Sequence, residues 1–165
     1  MLKNVFLSSL ITIFLVQPVL AFGTYKKLNF NDDKPNPQAS KILYEYVLKS
    51  QNMSPAEIKD LAGIEPKSAR AFEVDLNEDG INEIIGLVYS TFYWGTAGYS
   101  LFILQKQPNG YKDISTLVFE PQEIVDIRSE KTNGYHDIKL TGSNGDNVQY
   151  VAKYKDGMYQ WAYKQ

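Results

Sequence analysis

Cysteine is absent from this 165-residue chain, and histidine occurs once, as His136. Without cysteine there is no disulfide framework, no thiol nucleophile and no thiolate metal ligand; one histidine excludes a two-histidine zinc site. An excess of positive charge is also lacking. Seventeen basic residues face 19 acidic ones, a formal charge of −2, so no basic nucleic-acid surface is expected. No Gly-x-Ser-x-Gly elbow occurs. Helicase, kinase and zinc-hydrolase chemistry are therefore set aside. The length suits one domain and is short for two well-packed ones. Twelve Tyr, eight Phe and two Trp favour a strand-rich fold.

Long apolar runs are few, and the one present stands at the start. Lys3 precedes a mostly apolar Val5 to Val16, Gln17 and Pro18 break it, and Val19-Leu20-Ala21 places small residues at a cleavage site. This is the pattern of a secretory signal peptide over residues 1–21. The apolar run of 12 residues is short beside the roughly 20 that a membrane-spanning helix needs. Export to the periplasm or the medium is expected, with a mature chain over residues 22–165 and no transmembrane anchor. Loss of Lys3 leaves 16 basic residues against 19 acidic ones, a charge of −3.

Phe22 to Pro35 reads as an irregular lead-in, because Asn31-Asp32-Asp33 and two prolines oppose regular structure. Asn36 then caps a helix with Pro37 at its first position; Ala39, Ile42, Leu43, Tyr46 and Val47 form its apolar stripe, and Asn52 closes it. Ser54, Pro55 and Glu57 spell a capping box for a second helix, with Met53 and Ile58 as its staple and Gly63 as its end. Strands are predicted at 70–75, 82–92, 99–107, 111–119, 123–130, 135–141, 147–155 and 158–164. Asn109-Gly110, Asn133-Gly134 and Asp156-Gly157 are tight-turn signals. The segment Asn109 to Ile114 is echoed 24 residues later by Asn133 to Ile138, which predicts two similar hairpins. The expected fold is α+β, an antiparallel β meander with two N-terminal helices packed on one face.

Residues 72–85, FEVDLNEDGINEII, carry the strongest chemical signal. Calcium takes six to eight oxygen ligands, so one compact loop must turn several oxygens inward. The side chains of Asp75, Asn77, Asp79 and Glu83 and the carbonyl of Ile81 are the candidate ligands, with Gly80 allowing the bend. An EF-hand would need Glu where Gly86 stands and helices on both flanks, so that loop type is disfavoured. The alternative is a solvated hairpin whose side chains hydrogen-bond their own backbone. The Asp-x-Asn-x-Asp-Gly stretch resembles the calcium loops of FG-GAP and VCBS-type repeats over about residues 72–88. Asn77 stands for the commoner Asp, and Glu83 where Asp is more usual. The resemblance implies a structural calcium ion; a single copy does not imply a propeller. A group of small secreted bacterial proteins is similar over more of the chain, through Asp75 to Glu83, Tyr93 to Tyr99 and Asp156 to Tyr159, and implies no established activity.

Tyr89, Phe92, Tyr93, Trp94 and Tyr99 bracket Gly95 and Gly98. Such aromatics form either a sugar- or protein-binding platform or core packing at a sheet end. His136 beside Asp137 is read as a half-exposed strand residue, and Glu120, Glu123, Asp126 and Glu130 as a solvated charged surface, with glycoside hydrolysis as their alternative. Taken together, these features point to an exported, non-catalytic domain that binds another exported protein, as an inhibitor or immunity-type partner. A cell-wall or carbohydrate-binding domain is the alternative, and a small hydrolase comes third. Mass spectrometry of the exported protein is expected to find a chain beginning at Phe22; an intact Met1 in a membrane-retained product would overturn the signal peptide.

Overall fold

The computed structural model describes residues 23–90, 99–115, 117–119, 124–141 and 149–162. The leader and the candidate residues Phe92, Tyr93 and Trp94 lie outside these, and of Tyr99 only the backbone is described. Along the chain run β1 (Thr24–Asn29), α1 (Pro37–Gln51), α2 (Pro55–Ala62), a 3-10 turn (Pro66–Ser68), β2 (Ala69–Val74) and β3 (Glu83–Val88). Then follow β4 (Tyr99–Gln107), β5 (Gly110–Asp113), β6 (Leu117–Phe119), β7 (Ile124–Thr132), β8 (Tyr135–Thr141), β9 (Gln149–Lys155) and β10 (Met158–Ala162).

Both helices begin and end where the cap residues place them. The Asn36 side chain accepts from the N–H groups of Gln38 and Ala39, Pro37 takes the first turn, and Asn52 closes α1 in the left-handed region. In α2, Ser54 and Glu57 form the reciprocal capping box and Gly63 ends the helix at φ +63°. The buried face of α1 differs from the expected stripe: Ala39, Ser40, Leu43, Tyr44 and Val47 point inward, while Ile42 and Tyr46 are only half-buried. The rotation has a polar cause. Ser40 Oγ accepts the buried N–H of Ala71 at 3.0 Å, and Ala71 O accepts from Asn36 N–H at 2.9 Å, so the N-terminal end of α1 caps the outer edge of β2.

The fold is α+β, with the two N-terminal helices packed against antiparallel sheet. The strands divide into a first sheet, in the order β1-β7-β8-β9-β10, and a second, β2-β3-β4-β5, with β6 also on β4. The second sheet is the middle layer. Ala69, Ala71, Ile84, Val88 and Leu104 face the helices, while Phe72, Val74, Ile85, Leu87, Leu101 and Ile103 face Val125, Ile127, Ile138, Leu140 and Ala152 of the first sheet. Every residue of β3 is consequently buried, which is why Ile84 to Val88 reads as an unbroken apolar run.

Two expectations need correction. Residues 22–35 are not all irregular, because Thr24–Asn29 forms β1 and pairs antiparallel with β7. Its alternation is hidden: Leu28 is buried, but Thr24, Tyr25, Lys26 and Lys27 are all exposed on a sheet edge. The expected strand 111–119 is two strands, β5 and β6. Between them Ile114 N–H bonds to Ile103 O, Tyr159 N–H to Ile114 O, and Ser115 bridges Tyr159, so this bend joins the two sheets. The sequence echo does form two hairpins, one in each sheet, but only Asn133 of the two asparagines has positive φ.

Gly86 sits on β3 under α1, where a methyl group would meet Leu43 Cδ2 at 2.4 Å, Ala71 Cβ at 2.8 Å and Arg70 O at 3.0 Å. Gly86→Ala is therefore expected to lower stability by about 2 kcal/mol through overpacking. A fall in the urea midpoint with unchanged slope checks this.

Candidate functional site

The acidic loop between β2 and β3 folds its oxygens onto its own backbone. Asp75 Oδ1 accepts from Asp79 N–H at 3.2 Å and Oδ2 from Gly80 N–H at 2.8 Å. Asn77 Oδ1 also accepts from Asp79 N–H, at 3.0 Å, and its amide donates to Asp79 Oδ2 at 2.8 Å and to the Tyr135 hydroxyl at 3.2 Å. Asp79 Oδ1 accepts from Ile81 N–H at 2.7 Å. Gly80 at φ +84° makes the bend this requires. Glu83, the last candidate ligand, is buried, and its Oε2 accepts from Leu76 N–H at 3.0 Å.

This arrangement overturns the calcium expectation. Among the described residues no group of three or more His, Cys, Asp or Glu is placed to hold a metal ion. The physical reason is that amide N–H groups already supply the positive poles that a cation would provide. Burial raises the Asp75 carboxyl, but the N–H groups of Gly80, Glu78, Asp79 and Asn77 outweigh it and hold the group below its ordinary range. Asp75, Asn77, Asp79 and Glu83 thus build a side-chain-bonded hairpin turn, and Ile81 is an exposed residue whose N–H caps Asp79.

Glu78, at φ +60° in the same loop, reaches outward to another cluster. Its Oε2 lies 2.6 Å from Lys131 Nζ and its Oε1 3.1 Å from His136 Nε2. His136 is not half-exposed as expected; it is 2% exposed. Its Nδ1 lies 2.6 Å from Arg128 O, and Tyr25 stacks on the ring with centroids 4.0 Å apart. A bulge in β7 between Ile127 and Lys131 presents that carbonyl. Asp137 does not orient the imidazole; its carboxylate is 3.6 Å from Lys153 Nζ.

A cleft of about 450 Å³ opens beside this cluster, lined by Tyr25, Lys26, Glu73, Val74, Asp75 and Asn82. It lies where β1, an edge of the first sheet, faces β2, an edge of the second. Lys26 Nζ spans the gap to Glu73 O at 3.1 Å, and Asn36 Nδ2 donates to Glu73 Oε2 at 3.0 Å. Of the expected site residues among those described, only Asp75 lines the cleft. Tyr25, Lys26, Glu73 and Asn82 were missed because recognising them requires β1, whose exposed Tyr-Lys-Lys run is the one available signal. Tyr89 is half-buried against the core, and Asp126 and Glu130 flank Arg128 at 3.4 and 3.3 Å. Glu120 and Glu123 lie outside the described residues.

Among the described residues no helix is long and apolar enough to cross a membrane. Comparisons with family models, curated proteins and solved structures find no match to this chain.

Two measurements follow from the loop. Millimolar calcium is expected to leave the melting temperature unchanged; a calcium-dependent rise, which native-state binding would produce by linkage, would restore an ion site. Burial pushes the Glu83 carboxyl up, Leu76 N–H opposes this, and Asp79 and Asp75 add to the rise. A carboxyl raised in the folded state contributes stability below its unfolded value and loses it as pH rises through the folded value. Glu83→Gln, which keeps an oxygen for Leu76, is expected to flatten that decline in urea midpoints measured upward from about pH 4.3, the ordinary glutamate value.

Proposed function

We propose that this is an exported domain that acts without catalysis, by binding a segment of another exported protein in the cleft between β1 and β2. The observation that carries the reading is the cleft's mixed lining. Tyr25 is 46% exposed and, beyond the ring face stacked on His136, offers aromatic surface to the cleft. Glu73 uses one carboxylate oxygen on Asn36, which leaves the other for a ligand. Two carboxylates, Glu73 and Asp75, stand against one ammonium, Lys26. That balance suits a Lys or Arg side chain of the partner, held by charge and by cation–π contact with Tyr25. The acidic charge of the chain favours approach of a basic segment in the same sense. The non-catalytic part of the reading is supported by where the nearby polar groups are engaged: the loop carboxylates on backbone N–H groups, Glu78 on Lys131 and His136.

A glycan is the alternative ligand, since an aromatic face beside amide and carboxylate groups also suits sugar hydroxyls. The test is an NMR titration with lysine-containing extended peptides in one arm and cell-wall oligosaccharides in the other. Peptide-induced shifts confined to Tyr25, Lys26, Glu73 and Asn82 are expected, with Tyr25→Ala weakening binding by about 1–2 kcal/mol. Shifts from the oligosaccharides alone would favour the glycan, and shifts in neither arm at these residues would overturn the cleft as the site.

A further inference from the structure

We propose that His136 is a protonation-dependent latch that joins the acidic loop to the wall of the β1–β2 cleft. Both ring nitrogens of His136 face acceptors. Arg128 O, 2.6 Å from Nδ1, is a carbonyl and can only accept. Glu78 Oε1, 3.1 Å from Nε2, belongs to a carboxylate and can only accept as well. Lys131 foremost holds the Glu78 carboxyl below its ordinary range, against desolvation and with help from His136, so it stays an acceptor in neutral solution. Both contacts are satisfied together only by the imidazolium, which has two N–H donors. Removing one proton sets a nitrogen lone pair against either the carbonyl or the carboxylate. The Arg128 carbonyl lies within the β7 bulge, makes the shorter contact and belongs to a less exposed residue than Glu78, so the contact released is the one to Glu78.

The groups facing the ring all act on this balance. Glu78 comes from the loop, Lys131 and the Arg128 carbonyl from β7, and Tyr25 from β1. The main chain of His136 is fixed separately, its N–H on Leu76 O at 2.8 Å and its carbonyl on the Tyr159 hydroxyl at 2.9 Å. Asp137, next to it on β8, is engaged with Lys153 instead. Deprotonation therefore frees the loop without moving the strand. Lys131 keeps hold of Oε2, so Glu78 pivots and the turn from Asn77 to Ile81 loosens in place. The Tyr25 ring loses a cationic neighbour in the same step, and Tyr25 also lines the cleft. The consequence for ligand binding rests on the cleft reading; the latch itself does not.

Histidine side chains change charge between about pH 5 and 8, and the test follows the free protein across that range by NMR. The His136 ring and the amides of Asn77 to Ile81 are expected to titrate with one midpoint. Amide exchange at Gly80 and Ile81, corrected for its intrinsic pH dependence, is expected to be about fivefold or more faster at the high end. Glu78→Gln, whose amide can donate to a neutral ring, is expected to abolish the difference, and so is His136→Gln. A ring that titrates while the loop amides stay still, or a Glu78→Gln protein that keeps the full difference, would overturn the latch. If His136→Gln does not fold, the wild-type titration and Glu78→Gln still decide the matter. Loss of peptide binding at every pH with the latch intact counts against the cleft reading alone.

Discussion

The strand β3 has no face turned to water, and the rest of the molecule is arranged to cover it. Ile84 and Val88 meet the helices, while Ile85 and Leu87 meet the first sheet. A strand buried on both faces requires a backbone approach on one side, and Gly86 provides it: the space a Cβ would occupy is held by Leu43 of α1. The orientation of α1 follows, since Leu43 can enter only if Ser40 turns inward with it. That serine then meets a polar demand of the sheet edge, the Ala71 N–H. One missing side chain on β3 thus fixes a helix, and the helix in turn covers the edge of β2.

The same economy governs the polar end of the sheets. The turn between β2 and β3 gathers carboxylates whose mutual repulsion would oppose the fold, and it answers them with main-chain N–H groups rather than with an ion. For Glu83 the Leu76 N–H does not outweigh burial. Glu83 is buried, and its charge faces those of Asp79 and Asp75. Its hydrogen bond to Leu76 N–H fixes the first residue of β3 to the second residue beyond the end of β2.

Much of this was legible in the sequence. The caps at Asn36, Ser54 and Gly63 specify helix ends because they act over three or four residues. The turns at Asn133-Gly134 and Asp156-Gly157 are equally local. β1 was not legible, since a strand with four successive exposed residues and only Leu28 buried carries no alternation to read. The loop was misread for a different reason. Asp, Asn and Gly at alternating positions serve a cation and a backbone-bonded turn equally well, and the choice depends on where the amide N–H groups point. The burial of His136 was hidden because it depends on a bulge in β7 and on Tyr25 stacking from β1, neither of which leaves a mark near position 136. The cleft is a property of two strand edges far apart in the chain, so no motif announces it.

The two sheets meet along unlike margins. At one, the Ile114–Ser115 bend and Tyr159 are stitched by main-chain hydrogen bonds in a buried setting. At the other, the exposed side chain of Lys26 reaches across to the Glu73 carbonyl, and Glu78 reaches Lys131 and His136. The pair of sheets is therefore bound like a book, with a main-chain spine and a fore-edge clasped largely by side chains. Parting the covers at the fore-edge exchanges exposed side-chain contacts for water, whereas parting them at the spine breaks buried main-chain hydrogen bonds and costs more.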